Sequence, residues 1–477
     1  MKIDINPEKL TALQKERCEE SFFNFVMLFW DVVIKETPVY NWHIPYLCEE
    51  LQDLSYYIVN RLPKPYDLII NIPPGTSKST ICTVMFPVWL WVKDPSIRII
   101  TNSYASDLAT ELAVKSRDII VSEKFKRVFH KIRLRSDKSA KQNYENTKGG
   151  TRNTTSTGGA ITGKHAHVII NDDPLNPKQA SSEADRKNAI AHSTQTLSSR
   201  KVDKRNTPTI TIMQRLHEND VTGFMLSNKG EMIRHICLPA EVSKDVKPAH
   251  LIERYIDGLL DPIRLDHDVI KEAKIDLGSY GYSNQFQQIT APPEGGILKA
   301  IWFEVVDWKP EYNSIIWNTA IDPAYTDSTD NDESGMLQFG QLNNECIIRH
   351  AEGVYLEFPD LVKYVDTFTS NHGYSQKSMI IVEPKASGKS LVQQKKRDTK
   401  INIKEGENPL KDKPARASDI SPYCESRRVK LIRGNWNQYF LDQVKTFPNA
   451  KQDGIIDCLV MAVNDCRTRK KTSPRIS

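Results

Sequence analysis

Long hydrophobic runs are missing from this sequence of 477 residues. The longest apolar stretch, Ile81 to Val92, is interrupted by Pro87 and falls short of the roughly 20 residues a membrane-spanning helix needs, so no membrane partner is expected. The first ten residues, MKIDINPEKL, carry acids and no apolar segment, and a signal peptide is therefore not expected. Eight cysteines are scattered without a single C-x-x-C pair, which argues against a zinc ribbon or a disulfide scaffold and fits a reducing compartment. No internal repeat is present. Strong charge of either sign is also lacking: 65 Lys+Arg against 60 Asp+Glu leave +5, compatible with a nucleic-acid partner and diagnostic of none. What is there, 39% hydrophobic and 26% charged residues, is the composition of a soluble globular chain with about two to four domains.

Residues 1–60 read as helical, with Phe22, Phe25, Val26, Phe29 and Trp30 near helical spacing and a second amphipathic stretch at 44–54. From Tyr66 strands and helices alternate. Strands are expected at 67–72, 97–103, 167–172 and 207–213, and helices at 78–91 and 107–121, the order of a mostly parallel α/β sheet. After the punctuation APPEGGIL at 291–298, a second strand-rich region opens at 314–322. A hairpin around 342–344 and the strand SMIIVE (378–383) follow, then helices. Antiparallel neighbours first and helices last is the order of a ribonuclease-H-like α/β domain. The expected division is a helical segment 1–60, an α/β domain 61–245, a linker region 246–300 and a ribonuclease-H-like domain 301–477 ending in a basic tail.

The strand DLIINI runs into PPGTSKST and then an apolar helix. A strand, a tight loop and a helix N-terminus together present successive backbone N–H groups to phosphates. Lys78 would reach the outer phosphates and the Ser79 hydroxyl would hold Mg²⁺, with Gly75, Thr76, Ser77 and Thr80 completing the loop. Ile72 and Ser77 stand where the G-x-x-x-x-G-K-[ST] pattern has glycines, and an ordinary polar turn is the alternative. VIINDDP (168–174) supplies the second element such an ATPase needs: Asp172 as the strand-terminal acid for Mg²⁺ and Asp173 as the general base for the attacking water. Two-metal phosphodiester cleavage needs several carboxylates converging on Mg²⁺ or Mn²⁺. Asp322 and Glu383 each end a strand, and Asp453 and Asp457 lie one helical turn apart. Each acid alone reads as a solvated loop residue; their order along the chain is what suggests a cluster.

GGAITGKHAHVIINDDP (158–174), TIMQRLHENDVTG (211–223) and YSNQFQQITAPPEGGILK (282–299) resemble, in order, three signature blocks of bacteriophage large terminase subunits. The resemblance spans about residues 20 to 465. It implies a P-loop ATPase domain followed by a ribonuclease-H-like nuclease domain. Trp42 and His43 would then lie in the block that contacts adenine, and Gln214 and Arg215 in the motif coupling hydrolysis to movement. Asp322, Glu383 and Asp457 match the family's nuclease acids; Asp453 falls in the final acidic block and Asp332 matches a further acid on the first hairpin. Ser77 stands where the family usually has Gly, and no Arg precedes it, so Arg200 becomes the candidate arginine finger. Lys385 and Lys389 would touch phosphate. The implied cofactors are ATP with Mg²⁺ and a pair of Mg²⁺ or Mn²⁺ ions. The implied partners are double-stranded DNA, a portal protein, a small terminase subunit and further copies of the chain in a ring on the procapsid. The implied location is the cytoplasm of an infected bacterium, with the mature virion lacking the protein. A transposase- or resolvase-type nuclease whose N-terminal domain only binds DNA is the alternative, and a capsid or portal adaptor with degenerate sites a third reading. The basic stretch 124–141, with Phe125, Phe129 and Ile132 interleaved, is read as DNA-facing or as a docked helix and strand.

Overall fold

The computed structural model describes residues 7–290, 297–324, 333–407, 413–448 and 454–468. The chain divides into one unit of Met1–Lys274 with Gly281–Ala291 and another of Ile275–Tyr280 with Pro292–Ser477.

The first unit is built on β1 (Asp67–Asn71), β2 (Ile99–Ser103), β3 (Leu134–Ser139), β4 (Asn143–Asn146), β5 (Thr151–Ser156), β6 (Val168–Asp172), β7 (Thr209–Met213) and β8 (Ile233–Cys237). Their order is β3-β4-β5-β2-β6-β7-β1-β8. Six strands, from β5 to β8, run parallel, and β3 and β4 add an antiparallel edge. β1, β2, β6 and β7 are buried along their whole length, as strands covered on both faces must be. Helices Phe22–Val33 and His43–Val59 join this core through Phe25, Phe29, Leu47 and Leu51.

The helix after β1 opens with a π-helical segment, Thr80–Met85, and continues as Phe86–Lys93. Pro87 has no N–H to offer the preceding turn, and Arg152, fully buried, donates to Thr83 O instead at 2.9 Å, while the Ser116 hydroxyl caps Val84 O at 2.6 Å. The apolar stretch broken by Pro87 is therefore one helix. The basic stretch 124–141 forms helix Glu123–Val128 and β3. Phe125, Phe129 and Ile132 are buried in the core, and Arg135 and Lys138 pair with Glu145; this is the docked helix and strand. The segment read as a linker is folded: Leu251, Leu259, Leu260 and Leu265 are buried, and 246–274 belongs to the first unit. Enough apolar side chains sit there to anchor it, which a linker would not carry.

The second unit holds β9 (Glu304–Val306), β10 (Asn318–Asp322), β11 (Ser334–Leu342), β12 (Glu345–Val354), β13 (Ile380–Val382), β14 (Ile403–Glu405) and β15 (Val429–Ile432). Their order is β14-β13-β10-β11-β12-β15-β9. β10, β11 and β12 form an antiparallel meander, and the flanking strands pair in parallel. Helix Gly454–Thr468 packs across β10 to β12. Its first turn touches the sheet directly: a Cβ on Gly335 would stand 2.6 Å from the Gly454 carbonyl carbon. Two glycines in contact let the helix start lie close over β11. Among the described residues no helix is long and apolar enough to cross a membrane.

Candidate nucleotide and metal sites

In the first unit β1 runs through Ile72 and Pro73 into a turn with two positive-φ residues, Gly75 at +78° and Ser77 at +62°. Glycine adopts that conformation freely, whereas a Cβ makes it unfavourable by about 1–2 kcal/mol. Thr76 between them is buried and its hydroxyl donates to Pro73 O at 2.8 Å. Ser77→Gly is therefore expected to leave nucleotide binding as tight or tighter. Nucleotide titration checks it, and clearly weaker binding to the glycine variant would mean that the loop needs the Ser77 side chain.

His43 pins this loop. The Asn41 amide donates to His43 Nδ1 at 2.6 Å, and His43 Nε2 lies 3.1 Å from Thr76 O. Nδ1 is thus the acceptor and Nε2–H the donor. His43 is fully buried and holds the loop backbone through Thr76 O. Burial lowers His43 from 6.5 to about 4, against the opposing pull of the Thr76 carbonyl. The native state then binds fewer protons than the unfolded chain between those values. Stability is expected to be full above the unfolded value and to be lost as pH falls toward the native one, by about 3 kcal/mol in total. His43→Gln keeps a donor for Thr76 O and is expected to flatten that part of the curve; urea unfolding at about pH 7 and about pH 4.5 measures it. Superimposable wild-type and variant curves would count against the assignment. Trp42 is half-buried and packs on Tyr46 and Tyr255, with ring centroids 6.4 and 5.7 Å away.

Lys78 is buried at the start of the helix, its Nζ 3.4 Å from Asp173 Oδ2. The Ser79 hydroxyl donates to Asp172 Oδ1 at 3.0 Å. The β6 and loop motifs, 93 residues apart at that contact, therefore meet as the sequence pattern requires. Burial and then the neighbouring charge of Asp173 push Asp172 up to about 7, with Lys78 and Ser79 pulling the other way. Asp173 itself sits at positive φ, +42°, and its Oδ1 is buried with no hydrogen-bond partner among the described residues. A crowded carboxylate pair with an orphaned oxygen fits a divalent cation.

Gln214 follows β7, between β1 and β6, and its Oε1 is buried without a hydrogen-bond partner among the described residues. Arg215 is held by Asp220 at 3.0 and 3.2 Å and by the Thr290 hydroxyl at 3.2 Å, while its backbone N–H donates to Gln288. The 211–223 and 282–290 blocks, distant in sequence, are thus one polar joint.

Arg200 is elsewhere. Its carbonyl accepts from Ala166 N at 2.9 Å, before β6, whereas Asp172 ends that strand. Six residues of strand put them about 20 Å apart, so Arg200 does not reach the loop of its own chain.

In the second unit Ile321 pairs with Val382 across β10 and β13, and Glu383 N–H donates to Ile321 O at 2.9 Å. Asp322 and Glu383 therefore stand level at two neighbouring strand ends. Asp457, in the first turn of helix Gly454–Thr468, completes a buried trio with one ligand oxygen from each residue within 4.8 Å of the others. Three hard carboxylate oxygens suit Mg²⁺ or Mn²⁺. Asp332 and Asp453 lie outside the described residues.

Three cations interleave with the acids. Lys385 Nζ is 2.7 Å from Glu383, 3.7 Å from Asp322 and 3.9 Å from Asp457. Lys413 Nζ is 2.5 Å from Asp457, and Arg416 spans Glu383 at 3.0 Å and Asp457 at 2.7 Å. Burial, the shared hydrogen bond to Glu383 and the charges of Glu383 and Asp457 push Asp322 up to about 9. For Glu383 burial acts upward but is outweighed by Asp322, Lys385 and Arg416, which bring it down to about 2. Burial raises Asp457, against the pull of Lys413. Lys389 is exposed and takes no part in the described ion pairs of the trio. Sequence reasoning missed Lys413 and Arg416; their only signal is a three-residue spacing at a helix start, which puts both on one face.

Solved structures similar to the chain include the large terminase of a thermophilic bacteriophage in complex with ADP, at 9% identity and TM-score 0.43 over 88% of this chain and 100% of that one. The HK97 bacteriophage large terminase aligns at 10% identity and TM-score 0.37 over 94% and 99%. The human cytomegalovirus terminase nuclease domain aligns at 18% identity and TM-score 0.27 over 33% and 87%. No curated protein matches the chain in sequence. Residues 376–467 match the family model of the terminase RNaseH-like domain. Glu383 and Asp457 fall inside the segment that this family model matches, and Asp322 stands beside Glu383 on the neighbouring strand.

Proposed function

We propose that the chain is the large subunit of a viral terminase: an ATP-driven translocase of double-stranded DNA that also cuts the concatemer with bound metal ions. The observation that carries this reading is the meeting of Asp322, Glu383 and Asp457 on a ribonuclease-H-like sheet, in a chain whose other unit brings Lys78 and Ser79 to Asp173 and Asp172. The first unit takes the ATPase role and the second the nuclease role.

In the first unit Lys78 and the loop N–H groups hold the phosphates, Ser79 and Asp172 hold Mg²⁺, and Asp173 orients and deprotonates the attacking water. Trp42 lines the base side, and Gln214 reports the state of the phosphates to the Arg215 joint. Arg200 of the same chain stands at the far end of β6 and does not supply the arginine that would complete the site. In the second unit the trio would hold Mg²⁺ or Mn²⁺, which when bound would supply activation of a water and charge stabilisation at the leaving oxygen. Lys385 and Lys413, on flexible stems, then turn to the scissile phosphate, while Arg416 keeps Glu383 and Asp457 aligned. The partners of this reading are DNA, a portal protein, a small terminase subunit and a ring of identical chains. Its place is the host cytoplasm before the virion is complete.

The deciding experiment sets DNA-stimulated phosphate release beside Mn²⁺-dependent plasmid nicking by the full chain. Both activities are expected. Nicking without hydrolysis would replace the motor with a transposase-type nuclease, and neither would leave an adaptor.

A further inference from the structure

At the end of the first sheet away from the nucleotide loop, Lys64, Lys201, Lys204, Arg205 and Lys229 line a cavity of about 320 Å³ whose one acid is Asp67. Asp67 is buried and is saturated: Lys64 lies 2.5 Å away, Lys229 3.0 Å and Lys201 3.5 Å, and Thr209 N–H donates to it at 2.8 Å. Asp203, nearby in sequence, accepts from Arg205 N–H at 2.7 Å and so caps its own loop. Five cations therefore share one lining carboxylate. The walls are held together, since Lys64 N–H donates to Arg205 O at 3.0 Å and Asn206 donates to Arg61 O at 2.7 Å.

Like charges gathered in a concave, partly desolvated place repel one another, and the arrangement is relieved when an anion enters. Lys201, its side chain 5% exposed, shows the strain: burial, opposed by Asp67 and reinforced by Lys64 and Lys229, brings it down to about 7. Lysine is a compact point charge suited to phosphate oxygens. Tyr66 and Met232 on the rim offer apolar surface beside the charged floor, as a sugar-phosphate unit requires.

We infer that this pocket binds a phosphate group, separate from the nucleotide loop and about 15–20 Å from it along β1. The phosphate is either a phosphodiester of a DNA strand or a free phosphoanion. The site does not depend on the motor reading, because its cations stand on residues that take no part in the loop.

The test uses the full chain carrying Lys78→Ala, so that the nucleotide loop does not register phosphate, with and without Lys204→Ala/Arg205→Ala. Both residues are exposed and neither holds Asp67, so the fold is expected to survive, which circular-dichroism melting checks. Pyrophosphate is the first probe, read as a rise in melting temperature. A labelled duplex in a salt series is the second, where the slope of log K against log salt should fall by about one for each DNA phosphate that is no longer neutralised. Loss of the pyrophosphate shift with an unchanged slope assigns a free phosphoanion, and a slope lower by about one assigns the DNA backbone. Lys204→Arg in place of alanine is expected to restore much of the effect. An unchanged response to both probes, or an equal loss in the exposed control Lys187→Glu, would overturn the pocket.

Discussion

Asp322→Asn is expected to bring metal-dependent plasmid nicking down about a hundredfold or more, close to background. The three ligand oxygens lie within 4.8 Å of one another, so each acid contributes to the same ion cluster and its loss is not made up by the other two. Glu383→Gln and Asp457→Asn are expected to do the same. Double variants should be scarcely worse than singles, as groups acting as a unit behave. Mn²⁺ should raise the melting temperature of the wild-type chain, because an ion at a hundredfold excess over its Kd adds about 2.7 kcal/mol to stability. That gain should shrink in Asp322→Asn, whose amide keeps the shape and loses the charge. Without metal the fold should tolerate the change, since Lys385, Lys413 and Arg416 neutralise the remaining carboxylates. Phosphate release by the first unit should be unaffected. Wild-type nicking by Asp322→Asn would make the trio a structural ion-pair cluster and end the nuclease reading.

The parts of both sites that were legible lie on buried parallel or central strands. The expected strands 67–72, 97–103, 167–172 and 207–213 fall on β1, β2, β6 and β7, because strands buried on both faces are continuous Ile/Val/Leu runs. Strand-end acids follow directly from them, so Asp172, Asp322 and Glu383 could be placed from the chain alone. β5 could not. TRNTTS has no apolar alternation, yet it is buried through polar pairs, Thr101 with Thr154 at 3.2 Å and Arg152 with the Thr83 carbonyl. Such burial is decided by partners far along the chain.

The same holds for residues whose surroundings come from elsewhere in the chain. His43 is enclosed by Asn41 and by the carbonyl of Thr76, 33 residues on. Arg200 lies 28 residues after Asp172 in sequence, but the chain returns to the opposite end of β6 before reaching it. Distance along a chain says little about which end of a sheet a loop occupies. Ser77 is the reverse case. Its departure from glycine was visible in the sequence, and the positive φ shows that the loop keeps the glycine conformation with a side chain in place.

Lys78→Ala should abolish ATP hydrolysis, with a fall of about a hundredfold or more, while plasmid nicking by the same full-length chain persists. Lys78 is the one lysine that meets the Asp172–Asp173 pair among the described ion pairs, and it is buried at the helix start that faces the loop. Removing it withdraws the positive charge that a transferring phosphoryl group needs and leaves two adjacent carboxylates without their nearest counter-charge. Asp172, already raised to about 7 by burial and by Asp173, would be raised further, so its competence to hold Mg²⁺ at neutral pH should fall as well. Some loss of stability is also expected, because a buried charge pair loses one member. The melting curve measures it, and persistent nicking shows that the chain remains folded where the trio stands. Two outcomes separate the explanations. Hydrolysis lost, with melting shifted by a few degrees and nicking intact, assigns Lys78 to phosphate. Hydrolysis at the wild-type rate would remove the loop from the active site altogether, since among the described ion pairs no other lysine stands ready to replace it beside Asp173.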